Sequence, residues 1–199
     1  MRYQTGDRFK NRLARKVQPY LERLRRRGIL LTRVLGCGGL SCVHATQIPG
    51  VVVKWTDFFP EAKICHSLIQ NPQPFFPRIY QVFRLGQTSP DRMYFIVRED
   101  LDDINLSKRN LKDFEDLAWK CECSVRDAFR KSTRKIDAWR QIQYYAKNFK
   151  ENSSIGYHGR EIIELYLWAL KKNRTIYDTM NLKNWGMRDG VFVFRDLGF

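Results

Sequence analysis

The chain is 199 residues long and 43% hydrophobic, enough to bury a core in one domain or in two small lobes, which argues against a disordered polymer. A formal net charge of +15 and a pI near 9.8 favour encounter with anions, whether phosphates, nucleic acid or acidic protein surfaces. No apolar run approaches the roughly 18 residues that would span a bilayer, and residues 1–28 are polar and basic rather than an apolar leader, so the expected setting is intracellular and away from the membrane.

In chain order, Met1 to Gly28 holds ten Lys and Arg, with Phe9, Leu13, Val17, Leu21 and Leu24 at helical intervals, and reads as basic amphipathic helix. Pro19 suits the first turn of a second short helix, and Gly28 suits its C-terminal end. Arg23, Arg25, Arg26 and Arg27 crowd the last turn, where cations complement the helix dipole. From Ile29 the pattern changes to short aliphatic runs, Ile29 to Leu35 and Val51 to Trp55, expected as antiparallel strands. A helix is expected from Pro60 to Gln70, then strands at Ile79 to Leu85 and Met93 to Glu99.

Beyond Leu106 the spacing is helical, through Leu111 to Lys120, Val125 to Phe149 and Arg160 to Lys172, with a break at Asn152 to Gly156. Residues 184–199 return to a hairpin pattern, with Arg188-Asp189-Gly190 as turn and Val191 to Phe194 as strand. The five cysteines, Cys37, Cys42, Cys65, Cys121 and Cys123, are odd in number and lack C-x-x-C spacing, so they are expected as buried or incidental thiols. His44, His66 and His158 show no metal-ligand spacing.

Several short features bear on chemistry. Gly36-Cys37-Gly38-Gly39-Leu40-Ser41-Cys42-Val43 lies between two strands, the context in which glycines let a backbone approach phosphate oxygens; a Gly-rich hairpin turn is the plainer explanation. Lys54 closes an apolar strand where an ammonium would be held for phosphates, or would simply face water on an edge strand. Glu61 opens the next helix, either as a partner for Lys54 or as an acid favoured by the helix dipole. The exit of the Met93 to Glu99 strand, at Glu99 and Leu101, is where a backbone could receive an adenine edge. Asn184-Trp185-Gly186 and Asp196-Leu197-Gly198 flank the C-terminal hairpin, which would bring one amide oxygen and one carboxylate together for a hard cation such as Mg²⁺.

With these residues in order, residues 31–199 resemble the protein-kinase-like superfamily, most closely the compact Ser/Thr kinases of podophages and small bacterial kinase-like proteins. The resemblance rests on G-x-G-x-x-S at Gly36 to Ser41, V-V-K at Val52 to Lys54, Glu61, N-x-G at Asn184 to Gly186 and D-L-G at Asp196 to Gly198. It implies an α+β, two-lobed fold. Residues 1–28 would be a basic helical extension, 29–101 a small antiparallel-sheet lobe and 102–199 a reduced, mainly helical lobe.

The same resemblance implies ATP and Mg²⁺ as cofactors and a cytoplasmic site of action, that of a host cell if the source is viral. Gly36, Gly38, Gly39, Ser41, Val43, Lys54, Glu99 and Leu101 would contact the nucleotide, Glu61 would position Lys54, and Asn184 and Asp196 would hold the metal. The family's catalytic aspartate stands five residues before the metal-binding asparagine, a position occupied here by Thr179; Asp178, one residue further, is the alternative base. Aligning Asn181-Leu182-Lys183 with the family's D-L-K leaves no base. The sequence ends directly after D-L-G, so the resemblance extends to neither the activation segment nor the helices that follow it in a full kinase.

The resemblance supports two functions: a minimal Ser/Thr kinase acting on protein hydroxyls, or a pseudokinase whose basic helix docks an acidic partner or nucleic acid. A third reading, nucleic-acid binding without a nucleotide site, rests on charge and on Arg, Lys, Trp and Tyr interleaved through Arg126 to Lys150. Tryptophans at helical spacing are more often core.

Overall fold

The computed structural model describes residues 20–37, 41–85, 93–130, 134–152, 159–174, 176 and 179–196. The chain divides into two compact units, the first built from residues up to Pro72 together with Arg78–Asp100, the second from Gln73–Pro77 together with Leu101 onward. Both mix helix and strand or follow one another as α and β segments, and the protein is α+β.

In the first unit a short helix, α1 (residues 20–25), precedes β1 (Leu31–Cys37), β2 (Ser41–Thr46), β3 (Val51–Thr56), α2 (Phe59–Gln70), β4 (Ile79–Leu85) and β5 (Met93–Glu99). The strands form one antiparallel sheet in the order β1-β2-β3-β5-β4. Helix α1 stops where Gly28 takes φ +75°, with Gly28 N–H on Arg25 O and Ile29 N–H on Leu24 O at 2.9 and 3.0 Å. This six-to-one and five-to-two pairing needs a left-handed residue, which glycine adopts without a Cβ clash. Ile29, expected at the start of a strand, is instead the buried residue just past this cap, and β1 begins two residues later and runs on through Gly36 and Cys37.

Period-two alternation sorts the sheet into two buried faces. Leu24, Ile29, Val53, Trp55, Phe83, Met93, Phe95 and Val97 share one core cluster, with Tyr20 and Leu21 of α1 packed against it. Val52, Lys54 and Thr56 alternate with Val53 and Trp55, so they point to the opposite face, where α2 buries Glu61, Ala62, Ile64, Cys65 and Leu68. Covering on both faces explains why β3 and β5 read as nearly unbroken apolar runs.

In the second unit α3 (Lys108–Phe129), α4 (Lys135–Asn152) and α5 (Gly159–Lys171) precede a 3₁₀ turn (Leu182–Asn184) and a hairpin of β6 (Trp185–Arg188) and β7 (Val191–Phe194). The expected helical gap near residues 121–124 is absent, and α3 continues to Phe129. Leu117, Ala118, Cys121, Val125 and Ala128 carry one buried stripe through that stretch at three- and four-residue spacing. Ser107 caps α3, its side chain accepting Asn110 N–H at 3.2 Å. Asp189 and Gly190, with φ of 51° and 78°, turn the hairpin in the geometry that an Asp-Gly pair favours. Trp185, Phe192, Phe194 and Phe114 pack edge to face around it, and Phe75 O accepts Phe194 N–H at 2.8 Å.

Candidate functional site

The Gly-rich turn is partly strand. Gly36 pairs with Val43 and Cys37 with Cys42, and Ser41 opens β2. Gly38 and Gly39 lie outside the described residues. No described atom lies within 4 Å of a Cβ built at Gly36, so crowding by the described residues does not demand glycine there. Cys37 and Cys42 form a disulfide across the turn, which corrects the expectation that the cysteines are all thiols. Counting cysteines over a whole chain misses this pair, because only the antiparallel return of β2 on β1 sets the two side by side. Cys65 and Cys121 are buried thiols. Burial pushes Cys121 up to about 12 and, reinforced by the Glu61 carboxylate, holds Cys65 far above the usual thiol range.

Lys54 and Glu61 meet inside the first unit. Lys54 Nζ lies 2.5 Å from Glu61 Oε1, with the lysine 6% and the glutamate 2% exposed. The strand's alternation turns Lys54 toward α2, and Pro60 starts that helix so that Glu61 falls in its first turn. The edge-strand reading of Lys54 is thereby replaced: β3 is central, between β2 and β5, with Lys54 opposite Val43 and Ile96. An ammonium and a carboxylate removed from water need each other, and the pair stiffens both side chains. Glu99, at the end of β5, accepts Arg78 N–H at 3.1 Å and donates its own N–H to Arg78 O at 2.9 Å.

The hairpin brings Asn184 and Asp196 into neighbouring positions of the second unit. The Trp185–Phe194 pair closes the ladder, and one step further Arg195 N–H donates to Asn184 O at 2.6 Å. Asp196 follows directly. Arg195 then clamps the start of the second unit, donating through Nη2 to Leu101 O and Asp102 O, both at 2.6 Å, and through Nη1 to Asp103 at 2.8 Å. Gly186 makes room for this clamp, since a Cβ there would overlap the Arg195 guanidinium and reach Leu101 Cβ at 2.6 Å. One amide oxygen and one carboxylate suit a hard cation whose remaining ligands are phosphate oxygens and water. Among the described residues there is no group of three or more His, Cys, Asp and Glu that could hold a metal.

Thr179, five residues before Asn184, is fully buried and bonded on several sides. Its hydroxyl contacts Tyr166 Oη and donates to Glu122 Oε2 at 3.1 Å, while its carbonyl accepts Trp185 Nε1–H at 2.7 Å. Burial raises the Tyr166 phenol well above its ordinary range. Thr179 therefore anchors the loop to α3, α5 and the hairpin. Asp178 lies outside the described residues. Asn181 caps the 3₁₀ turn, its side chain accepting Lys183 N–H at 3.2 Å.

Glu122 and Arg195 were not singled out in the sequence. Glu122 left a signal, a carboxylate adjoining the buried stripe of α3; Arg195 had none beyond its place before Asp196. Among the described residues no helix is long and apolar enough to cross a membrane. Searches for relatives match no family model and no curated protein.

Proposed function

We propose that the protein is a minimal ATP- and Mg²⁺-dependent Ser/Thr protein kinase. The observation that carries this reading is the buried Lys54–Glu61 pair beside a Gly-rich strand turn, because a lysine buried in a central strand and fixed by a helix carboxylate is a costly arrangement without an anionic ligand to serve. Lys54 would neutralise the α- and β-phosphates while Glu61 keeps its ammonium in place. Asn184 and Asp196 would hold Mg²⁺, which supplies charge neutralisation at the phosphates. In the transfer, a substrate hydroxyl oxygen bonds to the γ-phosphorus, the bond to the β–γ bridging oxygen breaks, ADP leaves, and Asp178 takes the hydroxyl proton.

A second reading, a pseudokinase that binds nucleotide without transferring phosphate, is favoured by Thr179, whose hydroxyl is committed to Glu122 and Tyr166. The exposed Arg23, Arg25, Arg26 and Arg27 around the end of α1 would then dock an acidic protein or nucleic acid. Labelled-ATP transfer to the chain itself and to a generic protein acceptor decides between the two, run beside Asp178→Asn, Asp196→Asn and Lys54→Arg. Transfer by the wild type that all three variants lose supports the kinase. Thermal stabilisation by MgATP without transfer supports the pseudokinase, and no response to MgATP overturns both.

A further inference from the structure

The interleaved basic and aromatic stretch is not core where it matters. Trp139 is 46% exposed and Tyr144 65% exposed on α4, although large aromatics at helical spacing usually mark a buried stripe. The buried side of that helix is supplied instead by Ala138 and Ile142. At 3.6 residues per turn, Ile136, Arg140, Gln143 and Lys147 fall in one outward strip, and Trp139 and Tyr144 stand on its two opposite flanks. All six are exposed.

We propose that this outward face of α4 binds single-stranded nucleic acid. Arg140 and Lys147, two helical turns and about 10 Å apart, would meet backbone phosphates, and the flanking rings would stack with bases. Asp137 lies 3.7 Å from Arg140 and is also paired with Arg134, so Arg140 is partly neutralised on one side. The layout separates this ligand from an acidic helix of another protein. A partner helix buries a contiguous apolar stripe, whereas here a largely polar, basic strip runs between two separated rings, the arrangement that a charged backbone with projecting bases would fill. The net charge of +15 makes the encounter favourable at a distance.

The test uses the full chain without ATP, so its result stands apart from the nucleotide reading. Fluorescence anisotropy of a labelled oligothymidylate of roughly 15 nucleotides, within the span of known single-strand sites, is followed from about 50 to 200 mM salt. The expected result is salt-sensitive binding that Trp139→Ala and Tyr144→Ala each weaken on the order of tenfold while leaving the melting temperature unchanged. Arg140→Ala and Lys147→Ala should each lower the slope of log affinity against log salt by about 0.7. Absence of binding at the lowest salt would overturn the proposal, and so would full affinity in both aromatic variants. Competition by polyglutamate as effective as by unlabelled oligothymidylate would overturn it in favour of an acidic protein, since polyglutamate has no bases to stack.

Discussion

The two units each bury a small polar cluster, and the clusters differ in what they leave for a ligand. In the first unit, Lys54 and Glu61 are opposite charges fixed by a strand and a helix and removed from water together. In the second, Thr179, Glu122 and Tyr166 join three elements through hydrogen bonds in the interior. One cluster is an ion pair, the other two hydroxyls hydrogen-bonded beside the Glu122 carboxyl group. A buried charge pair without a further role is a poor investment, because apolar residues of similar volume often stabilise as well or better; a hydrogen-bonded loop anchor is ordinary architecture. On the function proposed above, the first cluster would serve a ligand, whereas the second ties a loop to α3, α5 and the hairpin.

The largest expected effect comes from breaking the charge pair on one side. Lys54→Met leaves the Glu61 carboxylate buried without its cation and should cost about 3–5 kcal/mol, read as a fall in the urea midpoint at unchanged m value. Removing both charges, as Lys54→Met with Glu61→Leu, should recover much of that loss. A double variant as unstable as the sum of the single changes would show that the two side chains do not act as a pair.

A smaller effect is expected in the second cluster. Thr179→Val keeps the shape of the side chain but deprives the Tyr166 hydroxyl and Glu122 of their shared partner, a loss of about 1–3 kcal/mol. Thr179→Ser, which keeps a hydroxyl, should stay near the wild type. If nucleotide binding survives Thr179→Val in conditions where the chain is folded, the comparison between ligand-binding and structural clusters is sharpened.

Particular residues show what was legible before the fold was known. The β-branched runs of β3 and β5, Pro60 at the start of α2, Gly28 at the end of α1 and the Asp189-Gly190 turn are local signals, and each fell where local chemistry put it. Lys54 and Glu61 were legible as a pair because their separation spans one strand exit and one helix start. The features missed depend on tertiary return. The Cys37–Cys42 disulfide needs β2 folded back on β1, and the continuity of α3 depends on Cys121 serving as an apolar residue. Thr179 reads as a mere absence of aspartate until Glu122 and Tyr166 arrive from two helices. Exposure of Trp139 follows from which side of α4 its neighbours cover, and a helical period alone leaves that choice open.

The smallest effect separates the two units by pH. Behind Lys54, on the other face of the sheet, His44 Nε2 accepts the Trp55 indole N–H at 3.0 Å, which requires that nitrogen to be unprotonated. Burial lowers the His44 pKa from its ordinary value, so the unfolded chain binds the proton more readily than the folded one. Stability from this group is therefore present above the unfolded value, about 6.5, and is lost as pH falls through the lower folded value. The second unit's cluster contains no histidine, so the loss should start in the first. His44→Gln retains a side chain able to accept from the indole but cannot titrate, and its melting temperature should fall less than that of the wild type between neutral and mildly acidic pH. Equal falls in the two proteins would place the acid sensitivity elsewhere. The hydrogen bond itself contributes on the order of 1 kcal/mol, which sets the scale of the difference at neutral pH between His44→Gln and a variant with no acceptor, His44→Leu.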